Sequence, residues 1–294
     1  SLSLSLVQTL RQTVDRTFKM YIGGRQVRPD APYSRSIWSP SHVRCGEVGE
    51  GNRKDIRNAV EAAHAAAPGW GKRAAYNRSQ ILYFLAENLD VRFDEMAQRI
   101  AQMTDCGAEA ARREVQLAIE RLFFWAAFSD KFGGSVQETP LYGATVAIHE
   151  PVGVIGIACP DEYPLLGFIS LFAPAIVRGN AVVIVPSERY PLAALDLYQV
   201  FDTSDLPPGV VNIVTGSRDL LSKTLVQHMD VNAMWYFGSA IGCYHVEYQS
   251  ACNVKRTFVG YGKPRDWADP NQGQGREFLY HSVQVKNIWI PAGV

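Results

Sequence analysis

The stretch Glu150-Pro151-Val152-Gly153-Val154-Ile155-Gly156-Ile157-Ala158-Cys159-Pro160 decides the fold. Val152 to Ala158 is short, apolar and rich in Val and Ile. Its glycines let neighbouring backbone come close, and Pro160 stops it. That is the profile of a strand buried on both faces, as in a parallel sheet covered by helices. The unit then recurs. A helical stretch, 165–178, leads through Gly179-Asn180 to a second apolar strand, Ala181 to Val185, with Pro186-Ser187-Glu188 at its end. Further strands centre on Ile213, Trp235 and Phe258, with helical segments between. The alternation predicts an α/β fold, a Rossmann-type doubly wound parallel sheet.

Upstream, Tyr21 to Val27 reads as a hairpin around Gly23-Gly24. Thr9 to Phe18 reads as a short helix or a linker. Asn52 is placed to cap a helix over 53–67. A longer helical region spans 77–103 with a break near 89–93. Another spans 108–131, where Phe123, Phe124 and Trp125 predict inward packing and Gly133-Gly134 marks the end. Gly143 to Glu150 reads as a strand. Asp266 to Gly275 is polar and Gly-rich, the texture of a loop, and Val283 to Pro291 alternates like a half-buried strand.

Composition narrows the function classes. Lys and Arg match Asp and Glu at 29 each, so no basic face for nucleic acid is expected. No apolar run reaches the roughly 20 residues that span a bilayer. The five cysteines are scattered and form no C-x-x-C pair, which fits a reducing compartment, the cytoplasm. Ser1 to Leu6 alternates Ser and Leu, lacks the charge of a secretory signal and has no initiating Met. It reads as a linker, with the chain one part of a longer polypeptide.

The central stretch resembles the cofactor domain of aldehyde dehydrogenases. That family carries a Pro-Val-Gly-Val strand, a Pro-Trp-Asn-Phe-Pro loop and a Gly-Asn-Thr-Val-Val-Leu-Lys-Pro-Ser-Glu strand end. Here the loop reads Pro160-Asp161-Glu162-Tyr163-Pro164, and Val185 stands in the lysine position. Leu206-Pro207-Pro208-Gly209-Val210-Val211-Asn212-Ile213-Val214, Phe237-Gly238-Ser239 and Gly262-Lys263 continue the likeness, which runs from Phe18 to Pro264. Residues 265–275 would then be a loop replacing the family's catalytic domain. Residues 276–294 resemble the family's last, oligomerisation strand. This layout is similar to the truncated second unit of the two-unit family 16 aldehyde dehydrogenases, with 1–17 as linker and 18–264 as a Rossmann domain bearing a flap strand near 143–150.

Aldehyde oxidation of this type needs a thiolate nucleophile, a general base and an oxyanion donor. The resemblance implies that all three are lost. No cysteine follows Cys252, Val259 holds the position of the base glutamate, and Glu162 replaces the asparagine donor. An ionised carboxylate has no proton to donate. Cys159, Cys243 and Cys252 read as small apolar side chains, Cys159 with a thiol pushed up by Asp161 and Glu162. The six histidines show no metal-ligand spacing.

Carried over singly, the family's dinucleotide contacts fall on Pro186, Ser187, Glu188, Gly216, Gly238 and Ser239. Glu188 would accept from an adenosine ribose hydroxyl, and Ser239 would meet a pyrophosphate at a helix N-terminus. Against them, Val185 removes a lysine, and Arg218 and Leu221 fall where flexible glycine-type positions are expected. The reading adopted is that no cofactor binds, with NAD the cofactor if this vestigial site is retained. The strands of the oligomerisation flap survive, so the expected role is structural. The partners would be an aldehyde dehydrogenase-like subunit, the preceding unit of the same polypeptide, or further copies in a homo-oligomer. The rivals are an NAD(H)-sensing regulatory module, an oxidoreductase using other residues, and an adaptor acting through 266–275.

Overall fold

Residues 17–140 and 142–292 are described by a computed structural model of the chain. The expectation for residues 9–16 lies outside them. Thr17 and Phe18 are a strand, β1 (Thr17–Phe18), rather than helix or linker. They pair in parallel with the later strand through Thr17↔Glu47 and Phe18↔Val48. The hairpin forms as read, from β2 (Met20–Ile22) and β3 (Arg25–Val27). Gly23 and Gly24 hold positive φ of 60° and 75°, the primed turn that such short hairpins demand. Next come β4 (Ser34–Trp38) and β5 (Arg44–Gly49), which complete a small sheet with β1.

Helix α1 (Arg53–Gly71) opens with a full capping box, the Asn52 side chain accepting from the Asp55 amide and Asp55 answering to Asn52. It runs past the expected end at 67, through Pro68, because Trp70 packs into the core and donates to the Ile176 carbonyl at 2.7 Å. Helices α2 (Ala75–Val91) and α3 (Phe93–Thr104) follow, separated at Arg92. Helix α4 (Ala108–Ala127) stops short of 131 and well before Gly133-Gly134. Its three aromatics divide: Trp125 is fully buried, while Phe123 is 39% exposed and touches Tyr83 on the outer surface. Consecutive helical residues point 100° apart, so one face cannot take all three.

The alternating series then runs in order. It comprises β6 (Ser135–Gln137), β7 (Gly143–Pro151), β8 (Val154–Ala158), α5 (Leu166–Val177), β9 (Ala181–Val185), α6 (Leu192–Asp196), α7 (Tyr198–Asp202), β10 (Val211–Ile213), α8 (Arg218–Gln227), β11 (Ala233–Tyr236), α9 (Ala240–Ser250) and β12 (Arg256–Val259). The main sheet has the order β12-β11-β8-β9-β10-β2-β3. Its first five strands are parallel, and the hairpin adds an antiparallel edge. The sheet is buried on both faces. Ile155, Ile157, Val182 and Ile184 meet the wholly buried α5, whereas Val154, Ala158, Val183 and Val185 meet α1 and α8. This is the doubly wound α/β fold that the Val/Ile runs predict.

The stretch 266–275 is not a plain loop. Trp267 is 1% exposed, a short helix α10 (Pro270–Gly273) follows, and α11 (Arg276–Ser282) buries Phe278 and Leu279. Arg121 of α4 reaches across to donate to the carbonyls of Trp267 and Gly273 and to the Ser170 hydroxyl. The last strand, β13 (Val283–Pro291), pairs antiparallel with β7 over its whole length, and β6 lies on the other side of β7. Only Val283 of β13 is buried; Gln284 to Pro291 are all exposed. The expected half-burial is therefore absent from β13 among the described residues, although Thr145 and Ala147 of the adjoining β7 are buried.

Candidate functional site

In a doubly wound sheet the ligand crevice opens where the strand order reverses, beyond the C-terminal strand ends. Here β8, β9 and β10 progress one way, and the chain then returns to β11 on the other side of β8. The crevice lies between the ends of β8 and β11, and Arg218 spans it. Its Nη2 donates to Asp161 Oδ2 at 2.6 Å, just past β8, and its Nη1 to the Phe237 carbonyl at 3.3 Å, just past β11. Asp161 Oδ1 accepts from the Ser187 hydroxyl at 2.7 Å and from the Arg189 amide at 3.3 Å. Burial pushes the Asp161 carboxyl up, but Arg218 and these hydrogen bonds outweigh burial and hold it below the usual carboxylate range. Burial pushes the Arg218 guanidinium the other way, and Asp161 outweighs it, so the pair stays charged.

The residues singled out in the sequence fall around this bridge. Pro186 and Ser187 are buried at the end of β9, and Ser187 also accepts from the Tyr190 amide at 3.0 Å. One oxygen of Glu188 accepts from the Arg218 amide, the opening N–H of α8, at 2.9 Å. Gly216 sits just before that helix with φ 151°. Gly238 lines the crevice, whereas Ser239 is exposed and caps α9 by accepting from the Gly242 amide at 3.0 Å. Ser187 and Glu188 thus join one network with Asp161 and Arg218, and Ser239 stands apart from it. Sequence reading noted Asp161 and Arg218 separately and missed their pairing. They lie 57 residues apart, and no local pattern links them.

Beside the bridge a cleft of about 190 Å³ is lined by Glu162, Phe237, Lys263, Arg265 and Trp267, with Asp161 and Arg218 forming its wall. Glu162 is exposed there, and Val259 is 8% exposed at the end of β12 with no proton to move. Cys159 is buried, and burial is the main reason that its thiol is pushed far up; Asp161 adds to this and Arg218 opposes it. Glu162, expected to contribute, does not figure in it. Cys243 is buried as expected. Cys252 is not: it lies beyond α9 on the turn Ala251–Asn253 and is exposed. Among the described residues no group of three or more His, Cys, Asp or Glu side chains is placed to hold a metal ion. No helix among them is long and apolar enough to cross a membrane.

Residues 34–262 match the model of the aldehyde dehydrogenase family. Relatives include the malonate-semialdehyde dehydrogenase of Bacillus pumilus (strain SAFR-032), 31% identical over 232 residues, and the cytosolic 10-formyltetrahydrofolate dehydrogenase of Mus musculus, 31% identical over 262 residues. These alignments take in 78% and 85% of this chain but only 48% and 29% of the relatives. Among solved structures, aldehyde dehydrogenase C from Pseudomonas syringae, crystallised with NAD+ and octanal, superposes with a TM-score of 0.77 at 31% identity. The match covers 82% of this chain and 49% of that one. An aldehyde dehydrogenase from Bacillus cereus gives 0.81 at 25% identity, covering 85% and 52%.

Proposed function

The chain belongs to the aldehyde dehydrogenase family, and from that premise we propose that it is a non-catalytic assembly module of the family 16 type. It holds no aldehyde and transfers no hydride. It pairs through its flap sheet and α9 with a complete aldehyde dehydrogenase unit, in the same polypeptide or in another copy, and no cofactor takes part.

One observation carries this reading. The connection from β12 to β13 is a packed part of the core, with Trp267, Phe278 and Leu279 buried and Arg121 holding its carbonyls. It delivers the chain directly from the Rossmann sheet to the flap strand. In the family that this chain resembles, the nucleophile-bearing domain stands at this juncture. A connection that fills its own place in the core supports a unit shaped without that domain. Val259 and Glu162 support the same view. Neither can serve as the base or the oxyanion donor that the resemblance assigns to those positions.

The exposed apolar residues support assembly. Val285, Ile288, Trp289 and Ile290 lie bare on β13, and Ile241, Tyr244 and Tyr248 project from α9 with 82%, 69% and 64% exposure. Ile241, Tyr244 and Tyr248 recur at helical spacing of three and four, so they share one stripe. Contiguous apolar surface rimmed by polar residues marks interaction sites. Two tests apply. Purified chain given NAD+ or NADP+ and a panel of aldehydes should produce no reduced cofactor; turnover above a heat-killed control would defeat the non-catalytic part. Substitution of Ile288 and Trp289 by Asp should abolish association, read as molecular mass in solution.

A further inference from the structure

We infer that the Arg218–Asp161 pair is an internal plug that occupies the dinucleotide crevice and keeps NAD(H) out. The inference rests on the non-catalytic reading and adds how the cofactor site was closed. A dinucleotide in a doubly wound sheet crosses the switch point, with its pyrophosphate on the amides of a helix N-terminus. The residues present do not fit that group. The guanidinium of Arg218 lies across the crevice from the β8 end to the β11 end, tied to Asp161 and to the Phe237 carbonyl. The first amide of α8 is taken by the Glu188 carboxylate, a negative charge where phosphate would need to sit. The Gly242 amide of α9 is taken by Ser239. Tyr236 closes the approach to that helix: its hydroxyl is tied to Asp219 at 2.6 Å and lies so tightly against Gly238 and Gly242 that a Cβ on either would displace it.

Among the described residues the crevice region holds two separate recesses that share no lining residue. One is the cleft of about 190 Å³ beside Lys263 and Trp267; the other, about 260 Å³, lies among Leu220, Tyr236, Ile241 and His245. Each falls below the roughly 300 Å³ at which pockets for drug-sized ligands begin. A dinucleotide needs the two joined. The plug is also well supported: both Asp161 oxygens are engaged, one by Arg218 and the other by Ser187 and Arg189. It is therefore a fixed element of the fold, and removing the pair together avoids leaving one buried charge alone.

The test is calorimetric titration of the full chain with NAD+ and, separately, NADH. The wild type should give no binding heat at millimolar cofactor. The double variant Arg218→Gly/Asp161→Asn should bind, with Kd at least about tenfold tighter than any wild-type value. If that variant unfolds, Arg218→Gln/Asp161→Asn keeps a neutral hydrogen-bonded pair of smaller reach, and should bind more weakly than the glycine variant would but better than the wild type. Micromolar binding by the wild type overturns the inference, as does a folded variant, confirmed by its melting curve, that gives no heat. Neither failure bears on association, which is decided by mass in solution and not by cofactor heat, although micromolar binding by the wild type would also remove the part of that reading that excludes a cofactor.

Discussion

Arg121 on α4 donates to the carbonyl of Trp267 at 2.9 Å, joining two residues that lie 146 positions apart. Through this contact, and the one to Gly273, the helical layer holds the segment that leads from the sheet to the flap. Arg121 is 3% exposed, and burial lowers its guanidinium to about 10, so its hydrogen bonds form away from water. Arg121→Met removes them and leaves buried carbonyls without a donor. A loss of about 3 kcal/mol is expected, which for a chain of this size lowers the melting temperature by roughly 8 °C. Thermal unfolding followed by circular dichroism measures it.

Glu114 provides a pH signature. Its carboxylate accepts from the Leu165 and Leu166 amides at the start of α5, at 2.8 and 3.1 Å. Burial dominates over those bonds and pushes it up to about 7. A carboxyl whose folded-state value is raised favours folding while protonated. Its contribution is full below the unfolded value of 4.5 and is lost as pH rises to about 7. Stability should fall across that window by an amount on the order of 3 kcal/mol from this group. Glu114→Gln keeps an acceptor and should flatten the slope, read from melting temperatures between pH 5 and pH 7.5.

Val254 follows the turn at 251–253 with φ 55° and is 91% exposed. A β-branched side chain in the left-handed region is strained by about 1 kcal/mol, and this one packs against little in return. Val254→Gly should raise stability by roughly 1 kcal/mol, or about 3 °C. A lower melting temperature would show that Val254 makes a contact that outweighs the strain.

The parallel sheet was legible because Val152–Ala158 and Ala181–Val185 are buried on both faces, which leaves a continuous apolar run in the sequence. The alternation of Val283 to Pro291 misled for a physical reason. A period of two says that one face wants cover, and it is silent on whether the cover comes from the same chain or another. Trp267 was hidden inside a polar, glycine-rich stretch, where composition describes the neighbours and not the one anchor. The candidate site was legible as a place, the strand ends at Asp161, Ser187 and Glu188. It was not legible as a network, because the Arg218–Asp161 contact depends on how α8 packs against the end of β8.

Sedimentation velocity tests the central claim most directly. It compares wild type with Ile288→Asp/Trp289→Asp, each alone and mixed with a complete aldehyde dehydrogenase subunit, over a wide concentration range. Both substituted residues are exposed on β13, so folding should be unaffected. The account predicts that the wild type sediments as a dimer or larger assembly, or with the complete subunit, and that the variant sediments as a single chain. A wild type that stays a single chain in every sample, or an assembly that the substitutions leave intact, would contradict it.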